Sequence, residues 1–200
     1  MSRNLSRRTV LGFSAAGLAA SLAGCLGAPT PLVTYDLIAS AQAASTSRRL
    51  NRAVLVVEPD AIETYDTNRI VVREPGSILS YLPDAQWSDR LPRLIQTRMV
   101  QSFQDAGVTN IGRPSDQIDA NLALAADIRA FEVNAGQERL ATVTLAVRLV
   151  DDWNRRILAA QSFSASVPLG NLNAPTVVAG LNQALDTVIA QIVAWTASRA

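Results

Sequence analysis

Residues 141–151 read Ala141-Thr142-Val143-Thr144-Leu145-Ala146-Val147-Arg148-Leu149-Val150-Asp151. On an extended chain, Val143, Leu145, Val147 and Leu149 point one way, while Thr142, Thr144 and Arg148 point the other. This period-two alternation predicts a strand with one face on a core. Asp151-Asp152-Trp153-Asn154 follows, and Asp and Asn favour tight turns, so the chain is expected to reverse and return as a strand over 157–167. Pro168 to Pro175 interrupts the pattern. Beyond it, Val177, Val178, Leu181, Leu185, Val188, Ile189, Ile192 and Trp195 mark one face of a long helix. One apolar stripe per helix is the normal pattern for packing on a sheet.

Working outward toward the N-terminus, Leu122 to Val133 reads as a long mixed strand and Val108 to Ile118 as a loop. Ser88-Asp89 can cap a helix and Pro92 suits its first turn. Leu91, Leu94, Ile95, Met99 and Phe103 then recur at helical spacing through Asp105, and Gly107 supplies a stop. Earlier still, Val33 to Leu37, Ala53 to Glu58 and Arg69 to Arg73 read as strands. The middle one is continuously apolar and ends at Pro59, which suits a buried position. Ile78 to Leu82 reads as a fourth, closed by Pro83-Asp84, and Ile38 to Arg49 as a loop. The order β-β-β(-β)-α-β-β-β-α predicts an α+β fold: a single domain with a mostly antiparallel sheet and two helices packed on one face. That domain spans residues 32–200, a length able to bury a proper core without disulfides.

The N-terminus carries a different signal. Arg3, Arg7 and Arg8 form a positive region, and Val10 to Leu22 is an apolar stretch of roughly a dozen residues, the length of a cleaved leader. A bilayer-spanning helix needs about 20. Leu22-Ala23-Gly24-Cys25 ends it, with two small residues before the sole cysteine. That pattern predicts a lipoprotein signal peptide over 1–24, cleavage before Cys25, acylation of its thiol, and a short tether over 25–31. Ser6-Arg7-Arg8-Thr9-Val10-Leu11 resembles a twin-arginine signal, with Val10 where Phe is usual; general secretory export is the alternative. A triacylated cysteine, palmitate among its chains, carries enough methylenes at about 0.8 kcal/mol each for stable anchoring. Leu26, rather than an acidic residue, follows the cysteine and implies the outer membrane, with the domain on its periplasmic face.

Composition excludes several chemistries. The chain has 200 residues, 18 basic ones that are all arginine, 17 acidic ones and no histidine. Loss of Arg3, Arg7 and Arg8 with the leader leaves 15 basic residues against 17 acidic, a net charge of −2. That balance argues against nucleic acid, whose binders carry a strong basic footprint. Without histidine there is no Ser-His-Asp arrangement and no His-ligated zinc. Without lysine there is no Schiff base and no Walker lysine. Acylation removes the only thiol. The expectation is a protein that is not an enzyme and holds no cofactor or metal. Glu58, Asp60, Glu63 and Asp66 lie in one short stretch, but a solvated acidic loop explains them, and their spacing lacks the calcium-loop pattern. A carboxylate-dependent hydrolase would need two of them converging in a cleft. Tyr81 and Trp87 lead into the apolar helix. They read either as a core cluster at a sheet–helix junction or, with Leu82, as a contact patch for a partner or lipid. Ile78 and Leu79 are further candidates for an exposed groove.

Several segments together resemble one family. They are the Cys25 motif, Tyr35-Asp36-Leu37, the apolar strand at Val54 to Val57, the Arg69 to Tyr81 segment, Trp87-(four residues)-Pro92-(one residue)-Leu94, the Phe163 strand and the terminal helix ending near Trp195. In order and spacing these resemble the auxiliary lipoprotein component of ABC-type transport systems, the paraquat-inducible protein C type. The resemblance implies a non-enzymatic partner of a lipid-transport machine. An MCE-domain periplasmic protein and its ABC permease and ATPase are the implied partners, with a homo-oligomer also allowed. For such docking, the residues Tyr81, Leu82 and Trp87 read above as a contact patch are the candidate contacts. A structural or assembly lipoprotein of the outer membrane, unrelated to ABC transport, is the alternative function.

Overall fold

The structure, a computed structural model, describes residues 32–39 and 50–200. The signal peptide, Cys25, the whole tether and nearly all of the loop expected from Ile38 to Arg49 lie outside the described residues. The strands are β1 (Val33–Tyr35), β2 (Val54–Val56), β3 (Asp60–Ala61), β4 (Arg69–Glu74), β5 (Ile78–Trp87), β6 (Ile111–Gly112), β7 (Leu122–Asn134), β8 (Leu140–Asp151) and β9 (Arg156–Pro168). The helices are α1 (Leu91–Asp105) and α2 (Ala174–Ala197), with a 3-10 turn at Pro114–Asp116.

The alternation in 141–151 decides the architecture as expected. β8 pairs antiparallel with β7 on one side and β9 on the other. Ala141, Val143, Leu145, Val147 and Leu149 are all buried on the helix-covered face. In β7, Leu122, Leu124, Ala126 and Ile128 are buried at period two, and Phe131 and Val133 then take over. The pairing register shifts between Ile128 and Ala130. One extra residue in a strand flips the faces that follow, which keeps both apolar sets on the core side and explains why the sequence alternates poorly there.

The other edge of β7 holds the surprise. β2, β3 and β4 pair with it in series, each parallel. β5 then pairs antiparallel with β4, and β1 parallel with β5. The sheet is therefore mixed; its longest ladders are the antiparallel ones. β3 and β6 are two-residue strands, and β6 with the 3-10 turn replaces the loop expected over 108–118.

Two expectations need correction. The strand beginning at Ile78 does not close at Pro83-Asp84 but runs on to Trp87. Arg69 pairs with Gln86 and Val71 with Tyr81, so Leu82 to Ala85 bulge opposite the single residue Ile70. Asp84, at φ +55, and Pro83, which has no N–H to offer a ladder, both suit that bulge. The expected Ser88-Asp89 cap is also absent. Arg90 occupies the N-cap position of α1 without a side-chain bond, because Ser88 Oγ donates to Asp36 and Asp89 accepts from Arg93 instead.

Pro92 does lie in the first turn of α1. At the other end, the Val108 amide donates to the Phe103 carbonyl and the Gly107 amide to Gln104. Gly107 sits at φ +80, the left-handed closure that glycine makes without a Cβ penalty. Asn173 caps α2, accepting from the Thr176 amide at 3.0 Å. α2 lies so close to β8 that a Cβ on Gly180 would meet Ala141 Cβ at 3.1 Å, with Leu169 just past β9 closer still. The helix is long and apolar enough to cross a bilayer by composition, yet its apolar stripe from Val177 to Trp195 is buried against the sheet. Trp195 meets Phe163 of β9 edge-on, with ring centroids 5.9 Å apart.

Candidate docking surface

With both helices on one side, the opposite face of β7–β8–β9 is built from the alternate residues. It carries small side chains: Thr142 and Ser166 share a hydrogen bond of 3.0 Å, and Thr144 and Ser164 one of 2.7 Å. Asp127 on this face is held by Arg148 at 2.8 Å and Arg129 at 3.0 Å.

β9 is an outer strand. It pairs with β8 and, among the described residues, with nothing on its other side. Natural edges are blunted by charge, proline or bulges. Here those devices sit only at the ends: Arg156, an extra residue at Leu158 where the register with β8 shifts, and Pro168. No charged residue occurs from Ile157 to Val167. The edge is thus open to pairing along its length.

The β8–β9 turn projects an aromatic residue. Asp151 accepts the Trp153 and Asn154 amides, and Asn154 accepts that of Arg156. The Asn154 amide first, then the Arg52 guanidinium, hold the Asp151 carboxyl below its ordinary range. This fixed turn leaves Trp153 90% exposed, beside Ile157 at 61%. Tryptophan is among the residues that anchor interfaces most often.

The contact residues expected from sequence separate. Trp87 is 1% exposed and Leu82 5%. Trp87 packs edge-on against Phe131, centroids 5.9 Å apart. Both belong to the core, which corrects their reading as a contact patch; the bulge turns Leu82 inward and the end of β5 sets Trp87 against Phe131 of β7. Tyr81 alone of the three reaches solvent, at 45% exposure, with the Arg69 guanidinium 5.0 Å from its ring centroid. Ile78 and Leu79 are exposed as anticipated. Sequence reasoning passed over Trp153 because turn chemistry accounted for its neighbours. An aromatic residue inside an Asp-Asp-x-Asn turn was the available signal.

The acidic stretch gathers only in part, and around a cation. Arg90 binds both Glu58, at 3.3 Å, and Asp66. Asp60 lies in β3 opposite Asp127 of β7, and those two border a shallow cleft of about 290 Å³. Glu58 borders another of about 520 Å³ with Arg93, Thr97 and Arg113. Among the described residues, no group of three or more acidic, cysteine or histidine side chains is placed to hold a metal.

One buried polar cluster lies under the loop before β4. Tyr65 Oη donates to Glu132 Oε2 at 2.6 Å, and Arg73 grips the same carboxylate through Nε and, at 2.8 Å, Nη2. Burial first, then the Glu132 bond, push the Tyr65 phenol up to about 12. An unfolded tyrosine titrates near 10. The folded state therefore keeps its proton where the unfolded chain loses it. The stabilisation is complete below pH ~10 and is lost as pH rises toward 12, amounting to about 3 kcal/mol by linkage. Alkaline unfolding followed by circular dichroism should show this slope, and Tyr65→Phe should flatten it. An unchanged slope in the variant would assign the alkaline loss elsewhere.

Fold and surface together define an α+β domain with two helices backing a curled mixed sheet, the long edge of β9 left open among the described residues. The chain belongs to the ABC-type transport auxiliary lipoprotein component family, whose model matches residues 35–193. It is accordingly a membrane-associated lipoprotein of the transport-auxiliary class. Among curated proteins it is similar to Uncharacterized protein bll6063 of Bradyrhizobium diazoefficiens, 28% identical over 171 residues. That match covers 85% of this chain but 46% of the relative, so the chain spans about half the length of the curated relative it matches. Among solved structures it is similar to protein XCC0632 of Xanthomonas campestris, with TM-score 0.77 and 26% identity over 84% of this chain and 95% of that one. A second crystal structure, of an uncharacterized protein, shares the fold at TM-score 0.60 and 15% identity, over 84% and 97% of the two chains.

Proposed function

We propose that this lipoprotein is the outer-membrane-anchored docking component of an MCE/ABC-type lipid transport system. It performs no chemistry. Acylated Cys25 holds it at the periplasmic face of the outer membrane, and the folded domain engages the MCE-domain protein that its permease and ATPase serve. Family membership supports the transport role. The observation that carries the docking is the open β9 edge with Trp153 beside it. A partner strand added to that edge would gain main-chain hydrogen bonds along Ala159 to Val167, and Trp153 would supply the apolar anchor at one end.

The test is co-purification. The lipoprotein is co-expressed with the MCE protein, permease and ATPase encoded in its own genome, and the complex is recovered through a tag on the MCE protein. The wild type is expected to co-purify. Ala160→Lys with Ser162→Lys places two charges on the edge, both at exposed positions, and is expected to abolish recovery with an unchanged melting temperature. Trp153→Ala is expected to weaken it. Failure of the wild type to co-purify, in membranes where it is present, would favour a structural or assembly role in the envelope. Separation of inner and outer membranes on a density gradient tests the anchoring side: accumulation in the inner-membrane fraction would contradict it.

A further inference from the structure

The large exposed apolar side chains fall into separate groups, and the tether distinguishes them. Trp153, Ile157 and Leu158 surround the β8–β9 turn. Leu32, Val33, Ile78, Leu79 and Tyr81 lie on β5, its hairpin tip and the start of β1. Val33 pairs with Ala85 and Ile78 with Glu74, near the two ends of the β4–β5 ladder, so the second group lines the β1–β5 margin, the corner of the sheet away from β8 and β9. β4 joins β7 at Glu132, whereas the β8–β9 turn adjoins Leu122. The intervening stretch of β7 separates the two groups by about 30 Å at roughly 3.3 Å per residue.

Seven chain steps separate Cys25 from Leu32, a reach of at most about 25 Å. An acylated Cys25 therefore keeps the start of β1 near the lipid. Standing the domain on the β8–β9 turn would lift the start of β1 about 30 Å, past that reach, whereas standing it on the β1–β5 corner keeps the start of β1 within it. That corner also has the chemistry of an interface. Tyr81 presents a half-exposed ring, and tyrosine settles at the boundary between headgroups and acyl chains. Arg69 stacks on it and has no carboxylate partner among the described residues, leaving its charge for lipid phosphate.

We propose that the β1–β5 corner, through Leu32, Val33, Ile78, Leu79 and Tyr81 with Arg69, rests on the surface of a phospholipid bilayer and points the β8–β9 turn away from it. This rests on the anchoring in the proposed function. It fixes the orientation of the domain: the lipid side is the hairpin tip of β5, and the partner side is Trp153.

Single reporters test it in the full acylated protein reconstituted in vesicles of phosphatidylethanolamine and phosphatidylglycerol. Ile78→Cys and Trp153→Cys each provide one thiol for an environment-sensitive fluorophore, because acylated Cys25 does not react. The label at 78 is expected to shift to the blue and to be quenched by spin-labelled lipid, and the label at 153 to remain in water. Leu79→Ser with Arg69→Gln should reduce the shift at 78 without lowering the melting temperature. Equal emission at the two sites, or lipid quenching at 153 alone, would overturn the orientation while leaving the anchor in place. Uptake of label by the protein without an introduced cysteine would show a free Cys25 and overturn the anchoring, and the orientation with it.

Discussion

Cys25→Ser is expected to move this protein quantitatively from the membrane pellet to the soluble fraction. The acyl chains contribute about 0.8 kcal/mol per buried methylene, and two or more chains make attachment effectively stable. The β1–β5 corner alone offers a handful of side chains and one uncompensated arginine, enough to orient a tethered domain but not to retain a free one. The fold should be indifferent, because among the described residues the core runs from Leu37 to the end of α2 and packs sheet against helices. Circular dichroism and the melting temperature of the variant should match those of the domain released from wild type by detergent. Retention of the variant in washed membranes would contradict acylation as the anchor. A lower melting temperature would mean that the N-terminal segment contributes to the core.

How far the fold was legible depends on strand length. β8 announced itself because eleven residues, 140–150, alternate without interruption. β7 is as long but carries a bulge, and its faces exchange midway, so it reads as a strand without a clear inside. β2, β3 and β6 span three, two and two residues, too few to show a period. β2 and β3 pair parallel along one edge of β7, and β6 parallel with β2, a tertiary choice that segments so short cannot announce. The Pro83-Asp84 pair looked like punctuation because proline and a positive-φ Asp usually end a strand. Here β4 and β1 hold β5 on both sides, and the bulge absorbs the break.

The surface was less legible than the core. Apolar residues at helical or strand spacing declare that they are buried, and α2 and β8 obeyed. An open edge has no spacing of its own. β9 is recognisable as an edge only once its neighbours are known, after which the lack of charge from Ile157 to Val167 acquires meaning. The same limit applies to aromatic residues. Tyr81 and Trp87 are six positions apart in one strand, yet the bulge between them sends one to solvent and the other inside.

That difference sets the second large effect. Trp87→Ala should destabilise the domain by about 3–5 kcal/mol, the usual cost of removing a large aromatic from a core. At about 2–4 °C per kcal/mol for a domain of this size, the melting temperature should fall by roughly 6–20 °C. Trp87 is fully enclosed, with Phe131 packed edge-on against its indole and its backbone amide bound to the Asn68 carbonyl at 2.7 Å. Truncation would leave a cavity that a bulged strand, fixed by β4 on one side and β1 on the other, cannot close. Trp87→Phe retains most of the apolar contact and should cost clearly less. Tyr81→Ala, at a half-exposed site, should change the melting temperature little. A partner-contact role for Trp87 predicts the reverse order, with normal stability and lost co-purification. Thermal denaturation of the three variants, read beside recovery of the MCE complex, distinguishes the two: a stable Trp87→Ala protein would return this indole to the surface.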